Sequence, residues 1–241
     1  MSISRRTSML FLGAAASSSL WAKTPLAPTA ATNAASSGPA LLQYFDAVKT
    51  PIAVTASTRE VREFFGYWCP HCADLDPSLV AWAKSLPASI TFTKTPVAFS
   101  PAQVPLATLY YVIESLAGAQ APALHAATFE AIHIHRSLKS SASEKDVQEF
   151  ASKQLRLDAK AVKEKWTSFG VTTQMAKAKA MADTIALEGV PALLVQGRYL
   201  TSPAKVSTLV TLSGRDPNYK PLLYKTMFEK TQALAASIAL S

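Results

Sequence analysis

The two cysteines of this chain stand three residues apart, at the junction of a strand pattern and a helix pattern, and this placement constrains the fold more than any other feature. They enclose a proline and a histidine, in the order Cys69-Pro70-His71-Cys72. Residues 59–68 (REVREFFGYW) are rich in β-formers and become continuously apolar towards their end, as expected of a strand buried on both faces. From there to Leu86 the apolar residues recur at helical spacing, and Cys72 lies on that stripe. A strand is therefore predicted to run directly into a helix at the first cysteine.

This junction predicts two unlike thiols. The Cys69 sulfur lies at the start of the helix, where free N–H groups and the helix dipole favour a thiolate. Pro70 suits the first helical turn, in which its missing N–H is tolerated. His71, when protonated, adds positive charge beside the same sulfur. Cys72 lies on the buried stripe and is predicted to be shielded and less acidic, so the two residues form one exposed, activated sulfur and one sheltered partner.

Composition narrows the class of protein. The 241 residues are 49% hydrophobic and 17% charged, which fits one large domain or two small ones and excludes disorder over most of the chain. Two cysteines are too few for a disulfide-dense small scaffold. The net charge of +8 comes from 24 basic and 16 acidic side chains that are scattered rather than clustered. This charge therefore predicts no nucleic-acid binding.

The remaining periodicity predicts one α/β layer with a long helical insertion. Ile90–Val97 alternates and is predicted to be a second strand. Five helices are predicted to follow: Val104–Leu116, Ala123–Leu138, Glu144–Leu155, Ala159–Phe169 and Thr172–Leu187. Ser143 with Asp146 gives the third of them a capping-box start, and Asp158 is a predicted N-cap for the fourth.

The pattern then returns to strands. Ala192–Gln196, a Gly197-Arg198 turn and Tyr199–Thr201 predict a hairpin. Two closing helices are predicted: Lys205–Leu212 and Pro221–Leu240, the second with proline at its first position. The apolar end of the second, Leu234–Leu240, is too short to span a membrane and is expected to be docked.

Residues 1–22 have the pattern of a secretory signal. Arg5 and Arg6 precede an apolar stretch of about 14 residues, Met9–Ala22, whereas a bilayer span needs roughly 20. The start resembles a twin-arginine signal but has Ser8 where Phe is common, so an ordinary Sec signal and an organellar transit peptide stay open. Residues 23–39 are rich in Ala, Thr, Ser and Pro and indicate a flexible linker. We expect an exported, soluble protein, located in the periplasm.

The cysteine pair has two other interpretations. It can be half of a zinc site completed by histidines, of which the chain offers His71, His125, His133 and His135. Zinc knuckles need a turn between the cysteines, whereas Ala73 continues a helix, and His133 and His135 diverge on a helical pattern. The other interpretation is two unreactive structural thiols, although an oxidising compartment would tend to close such a pair.

Two segments far apart in the sequence resemble the DsbA family of thiol:disulfide oxidoreductases. They are Glu63–Cys72 (EFFGYWCPHC) and Gly189–Tyr199 (GVPALLVQGRY). Trp166–Asp183 resembles the helices that precede the second motif, and Pro77 matches the helix-kinking proline of thioredoxins. The resemblance extends from Pro51 to the C-terminus. It implies an α/β protein with a thioredoxin fold and a large all-helical insertion. Residues 40–100 and 188–241 would form the thioredoxin-like domain, and residues 101–187 would form the insertion.

The resemblance also implies roles for individual residues. Cys69, Cys72, His71 and Pro70 would form the catalytic motif. Glu63 would lie buried near Cys72 and accept or relay a proton; from the sequence alone an exposed strand carboxylate is equally compatible.

The substrate-binding residues implied are Val190, Pro191, Tyr67 and Trp68. Pro191 would have a cis peptide bond, and the backbone of Val190 would pair with an extended substrate segment. A trans bond at the start of a strand is the alternative for Val190-Pro191. Tyr67 and Trp68 would shape an apolar rim, with core packing as their alternative role.

The function implied is donation of the Cys69–Cys72 disulfide to folding secreted proteins by thiol–disulfide exchange. The expected partners are reduced secreted proteins as substrates and a quinone-linked membrane protein of the DsbB type as reoxidant. No bound cofactor or metal is implied, and a monomer is expected. A disulfide isomerase or reductase on the same scaffold stays open, although Ala40–Thr58 is too short for the dimerisation domain of DsbC-type isomerases. A non-catalytic thioredoxin-like binding module or chaperone is the remaining alternative.

Overall fold

The computed structural model describes residues 38–55 and 57–238, and this part of the chain contains a sheet of five strands. In chain order the strands are β1 (Asp46–Ala47), β2 (Arg59–Phe65), β3 (Ile90–Pro96), β4 (Ala192–Val195) and β5 (Tyr199–Thr201). Across the sheet their order is β1-β5-β4-β2-β3, with β2 and β3 parallel and the other neighbours antiparallel. Strand β2, which leads to Cys69, therefore lies between β3 and β4.

Helices cover one face of this sheet. They are α1 (Pro39–Leu42), α2 (Pro70–Ser85), α8 (Pro203–Ser207) and α9 (Tyr219–Ser237). Val61 of β2 and Leu193 of β4 share a core with Leu75 and Leu79 of α2 and with Met227 of α9, and all five side chains are fully buried. Because such sites leave a cavity when truncated, Leu79→Ala would cost about 2–5 kcal/mol of stability.

The opposite face of the sheet has a smaller core. Phe64 of β2 and Leu194 of β4, which alternate with the residues of the first face, pack with Val97, Ile185 and Leu187. Strand β4 (ALLV) is buried on both faces, which explains its continuously apolar sequence, whereas β2 becomes continuously buried and apolar only towards its end, at Phe64 and Phe65.

The segment between β3 and β4 is helical. After a 3₁₀ turn at 101–103, its helices are α3 (Val104–Leu116), α4 (Ala121–His133), α5 (Glu144–Lys153), α6 (Ala159–Trp166) and α7 (Phe169–Thr184). Their apolar faces form one core, to which the end of β2 and the α2 start contribute Phe65, Tyr67, Cys69 and Cys72. The cysteines therefore lie where the helical segment meets the sheet.

The two helix starts predicted from capping residues, at α5 and α6, are confirmed. Ser143 and Asp146 form a reciprocal capping box at the start of α5. The Asp158 carboxylate accepts the Ala161 N–H at the start of α6, at 2.7 Å. Both caps satisfy N–H groups that the first helical turn leaves free.

Several predicted boundaries are wrong for local reasons. Strand β2 ends at Phe65 rather than at Trp68, because a turn follows in which the Cys69 N–H bonds the Gly66 carbonyl at 3.0 Å. Helix α4 ends at His133 rather than at Leu138, because Arg136 has a positive φ of 54° and turns the chain back.

Helix α7 is also displaced from its predicted position. It begins at Phe169, where Ser168 caps it, and ends at Thr184. Pro221 is the third residue of α9 and not the first. Its missing N–H is still tolerated, because the N–H groups of the first helical turn have no hydrogen-bond partner within the helix. The segment 40–58 contains α1 and β1, neither of which was predicted.

The predicted hairpin β4–β5 is confirmed. Its connection places Gln196 and Gly197 at positive φ values of 49° and 65°. A Cβ on Gly197 would lie 2.0 Å from the Ile52 carbonyl oxygen, so glycine is required where this neighbouring segment crosses the turn.

The predicted signal 1–22 and almost all of the predicted linker lie outside the described residues. At the other end, Leu234 and Ala235 are 1% exposed, so the closing helix is docked as predicted as far as it is described. Among the helices of residues 38–55 and 57–238, none is both long enough and apolar enough to cross a bilayer.

Candidate active site

Cys69 is the N-cap residue of α2, directly after the turn that ends β2. Its backbone is extended, Pro70 is the first residue of the helix, and the Ala73 N–H bonds the Cys69 carbonyl at 3.2 Å. His71 and Pro70 are exposed. The strand-to-helix junction predicted from the sequence therefore places the sulfur at the helix N-terminus, where thiolates are favoured.

Trp68 lies beside this junction because Gly66 leaves room for its indole. A Cβ on Gly66 would lie 2.4 Å from the Trp68 Nε1 atom. The indole N–H donates to the Val97 carbonyl at 3.3 Å, and the ring packs edge-on against Phe99 with centroids 5.8 Å apart. Phe99 is 47% exposed, so Trp68 and Phe99 present an apolar surface next to the cysteines.

The two thiols differ sharply in acidity. The pKa of Cys69 is lowered from 9.0 to about 6, first by a hydrogen bond from the Cys72 thiol, against the opposing effect of burial. The backbone N–H groups of Cys72 and His71 lower it further, and the charge of His71 makes the smallest of these contributions. The predicted activation of Cys69 is therefore supported, with the helix N-terminus contributing more than His71.

Cys72 has the opposite character. It is fully buried, and its pKa is raised far above the ordinary value, first by burial and then by Cys69 and by the charge of Glu63. Both cysteines are free thiols in this structure. A thiolate-forming sulfur beside a thiol that retains its proton is the arrangement that thiol–disulfide exchange requires.

The prediction that Cys69 is exposed is wrong. The residue is only 4% exposed, and its Sγ atom lies 3.3 Å from the Val190 carbonyl oxygen, to which the protonated thiol donates. The loop before β4 covers the sulfur, and Val190 packs against the same core as both cysteines. An attacking group therefore has to approach past the Val190 backbone.

The peptide bond between Val190 and Pro191 is cis, so the trans alternative is wrong. Pro191 directly precedes β4, and the carbonyl oxygen of Val190, the residue before it, lies at the sulfur of Cys69. The structure thus brings together Cys69, Cys72 and the Val190–Pro191 segment, as the resemblance implied.

Glu63 is buried, and the exposed alternative is wrong. The residue is 1% exposed and forms an ion pair with Lys94, whose Nζ lies 2.9 Å from Glu63 Oε2. The two residues are direct partners in the parallel pairing of β2 and β3. The ion pair compensates part of the cost of burying the carboxylate.

Lys94 belongs to a cluster that the sequence analysis did not find. Its Nζ also lies 2.6 Å from Asp76 Oδ1 on α2 and 3.2 Å from His125 Nε2 on α4. Burial would raise the pKa of Asp76, but the hydrogen bond with His125 and the charge of Lys94 lower it to about 2. One signal was available: Asp76 stands four residues after Cys72, on the buried stripe of the predicted helix, and a buried carboxylate requires a partner.

Tyr67 lies in the core and not on a substrate-binding rim. It is 1% exposed, and its hydroxyl lies 2.7 Å from His125 Nδ1. His133 Nε2 lies 2.7 Å from the Tyr67 carbonyl oxygen and donates to it. Burial raises the pKa of the phenol well above 10. Core packing is therefore the correct interpretation for Tyr67, whereas Trp68 is partly exposed.

Three of the four histidines offered as zinc ligands have other partners. His125 and His133 contact Tyr67, and the exposed His135 lies 4.0 Å from Glu130. Within residues 38–55 and 57–238, no three Cys, His, Asp or Glu side chains are grouped as a metal site would require.

Comparison with known proteins agrees with this geometry. A family profile described as Thioredoxin matches residues 54–212. The thiol:disulfide interchange protein DsbA of Bordetella parapertussis is 39% identical over 144 residues, which cover 60% of this chain and 66% of that protein. The DsbA of Burkholderia cepacia is 31% identical over 179 residues, which cover 73% of this chain and 82% of that protein.

A solved structure gives the same result. The crystal structure of Pseudomonas aeruginosa DsbA matches with a TM-score of 0.64 and 28% identity, over 80% of this chain and 94% of that one. Together with the sheet order and the helical segment, these similarities confirm the thioredoxin fold with a helical insertion.

Proposed function

This chain belongs to the DsbA family of thiol:disulfide interchange proteins, and we propose that it is an exported protein disulfide oxidoreductase that donates the Cys69–Cys72 disulfide to folding secreted proteins. The observation that carries this proposal is the asymmetry of the pair. The pKa of Cys69 is lowered to about 6, while that of Cys72 is raised far above its ordinary value. A stabilised Cys69 thiolate favours the reduced form, which makes the disulfide an oxidant.

The first step is attack on the oxidised pair. A substrate thiolate attacks Cys69, the Cys69–Cys72 bond breaks, and Cys72 leaves with the bonding electrons and takes up a proton. The raised pKa of Cys72 supports this protonation. The product is a mixed disulfide between the substrate and Cys69.

The second step releases the substrate. A second substrate thiolate attacks the substrate sulfur of the mixed disulfide, and Cys69 leaves as a thiolate. Two substrate thiols have then become one disulfide, and the two electrons reside on the reduced Cys69/Cys72 pair. Because Cys69 remains ionised above about pH 6, one proton is retained at Cys72 and the other is released.

The surroundings of the sulfur suggest how a substrate is held. We assign substrate contact to the backbone of Val190, to Pro191 and to the partly exposed face of Trp68. Attack on Cys69 passes the Val190 carbonyl, which is 3.3 Å from the sulfur, so an extended substrate segment bonded to that backbone would bring its cysteine to Cys69. We assign to Glu63 a role in holding or relaying the proton of Cys72, since it is buried and raises the pKa of that thiol.

The direct test is oxidative refolding. The oxidised protein is mixed with a reduced, unfolded protein of known disulfides, and free thiols and recovered activity are followed. We expect stoichiometric oxidation by the wild type and none by Cys69→Ser. Cys72→Ser should trap a mixed disulfide when it is given the disulfide-bonded form of the same protein, because its Cys69 thiolate attacks that disulfide, one substrate thiolate is released, and no second cysteine resolves the product. The equilibrium of the pair with glutathione is measured in parallel, and a disulfide that persists in strongly reducing buffer would instead indicate a reductase.

Export and partners are part of the same proposal. Residues 1–39 fused to a reporter should direct it to the periplasm, and Arg5→Lys with Arg6→Lys separates twin-arginine from Sec export. We propose a DsbB-type membrane protein as the reoxidant and a monomer as the functional form. Quinone-dependent reoxidation in membranes and the mass in solution test these two points.

A further inference from the structure

His125 occupies an unusual position for a histidine of the helical segment. It is 3% exposed on α4, and its ring is enclosed by aromatic side chains, with centroids 5.1 Å from Phe65 and 5.2 Å from Phe129. Both ring nitrogens have polar neighbours: Nδ1 lies 2.7 Å from the Tyr67 hydroxyl, and Nε2 lies 3.1 Å from Asp76 Oδ1. The packing of the aromatic rings and the polar neighbours of both nitrogens therefore hold the imidazole in one orientation.

The neighbours of His125 determine where its hydrogen lies. A hydrogen on Nδ1 alone would let the Nε2 lone pair accept from Lys94 Nζ at 3.2 Å, but it would hold that lone pair against the nearer Asp76 carboxylate, at 3.1 Å, which is repulsive. The Tyr67 phenol retains its proton, because burial raises its pKa well above 10, and it can donate to Nδ1. The network therefore assigns the hydrogen to Nε2, which donates to Asp76.

Asp76 in turn shares Lys94 with Glu63. The Lys94 Nζ atom lies 2.6 Å from Asp76 Oδ1 and 2.9 Å from Glu63 Oε2, so one ammonium serves two buried carboxylates. The N–H of His125 donates one hydrogen bond to the Asp76 carboxylate. Asp76 therefore depends less on Lys94, and the Lys94 ammonium can balance more of the charge of Glu63. The charge of Glu63 is the one that acts on Cys72.

We propose that His125 is a positioning residue for the thiol couple, which acts through Asp76 and Lys94 to limit the unbalanced negative charge of Glu63 behind Cys72. This inference rests on the proposed function and adds a determinant to the same site. Without His125, Asp76 draws Lys94 towards itself, and Glu63 is less well balanced. A less balanced Glu63 carboxylate raises the pKa of Cys72 further, and a less acidic Cys72 thiol is a weaker hydrogen-bond donor to the Cys69 thiolate. The reduced form therefore loses stability, and the disulfide becomes a weaker oxidant.

The experiment compares three substitutions by the equilibrium of each protein with glutathione. His125→Leu removes both ring nitrogens and should lower the equilibrium constant for reduction about threefold, the effect of half a pKa unit. His125→Gln retains an amide donor for Asp76 and should restore most of the wild-type value. His135→Gln is the matched control, because His135 lies beyond the end of α4 with an exposed side chain, whose Nε2 is 4.0 Å from Glu130 Oε2.

A purely structural role predicts a different pattern. Loss of packing alone would destabilise the oxidised and reduced proteins equally and leave the glutathione equilibrium unchanged, which would overturn the proposal. The effect must also depend on Asp76: His125→Leu should change little in an Asp76→Asn background, and an undiminished threefold effect there would equally refute it.

Two provisions keep the test decisive. If His125→Leu does not fold, Tyr67→Phe replaces it, because this variant removes only the hydroxyl that orients the imidazole. Tyr67→Phe should shift the glutathione equilibrium in the same direction, and the absence of a shift would refute the proposal. Failure of the proposed function looks different, because the wild type itself would then not oxidise dithiols, whatever the variants do.

Discussion

The folding stability of the reduced protein should rise with pH relative to that of the oxidised protein. In the folded, reduced state the pKa of Cys69 is lowered to about 6 from its ordinary value of 9.0. A group with a lowered pKa stabilises the fold fully above its unfolded value and loses this contribution as pH falls through the folded value. The window is therefore pH 6 to 9, and the oxidised protein, in which Cys69 does not titrate, is the internal reference.

The magnitude follows from the same values. The difference between 9.0 and about 6 corresponds to an upper limit of about 4 kcal/mol at ~1.4 kcal/mol per pH unit. Because the first cause of the shift is a hydrogen bond, and a hydrogen bond to a charged group contributes about 1.5–3 kcal/mol, we expect about 2 kcal/mol. Cys72 adds nothing within the window, because its pKa is raised and its proton stays in place up to the unfolded value of 9.0.

The assay is denaturant unfolding of both redox forms at several pH values and constant ionic strength. We expect the free energy of unfolding of the reduced form, minus that of the oxidised form, to increase by about 2 kcal/mol from the acidic to the basic end of the window. Reduced Cys69→Ser should lack the increase. A flat difference across the window in the wild type would refute the assignment of the thiolate to Cys69.

Three further predictions concern single side chains. His71→Ser should raise the pKa of Cys69 only slightly and weaken the oxidant by less than about threefold, because the charge of His71 lowers that pKa less than the hydrogen bonds to the sulfur do; the thiolate absorbance during titration measures the pKa. The lowered pKa of Asp76 stabilises the folded wild type above pH 3.8, and this contribution is lost as the pH falls to about 2. Asp76→Asn should therefore lose less stability over this pH range, which acid unfolding followed by circular dichroism tests. Gly66→Ala should displace the Trp68 indole and cost about 1–3 kcal/mol, visible as a changed tryptophan fluorescence, whereas Gly170→Ala, with open space around it, should not alter this spectrum.

The sequence could predict features that depend on local pattern. The Cys69–Cys72 junction follows from a strand period that changes to a helix period, and the caps at Ser143 and Asp158 follow from residue type at helix starts. The turn after Phe65 was missed because Gly66, Tyr67 and Trp68 continue the apolar run while the backbone already leaves the sheet.

Features that depend on contacts between distant segments could not be predicted in this way. The cover over Cys69 comes from Val190, which is remote in sequence, and no periodicity encodes the approach of that loop. The cluster of Asp76, Lys94 and His125 combines one side chain each from α2, β3 and α4, which are far apart in the sequence. From the sequence, each of these residues is an isolated exception with no indicated partner.

The contacts of Tyr67 also bear on protein engineering. Its hydroxyl and its carbonyl are each bound by a histidine of α4, two residues before the reactive cysteine. Grafting the corresponding helices from a relative would exchange those histidines together with the surface they carry. A chimera made to alter client choice would thus also alter the redox centre, and the two properties would have to be optimised jointly.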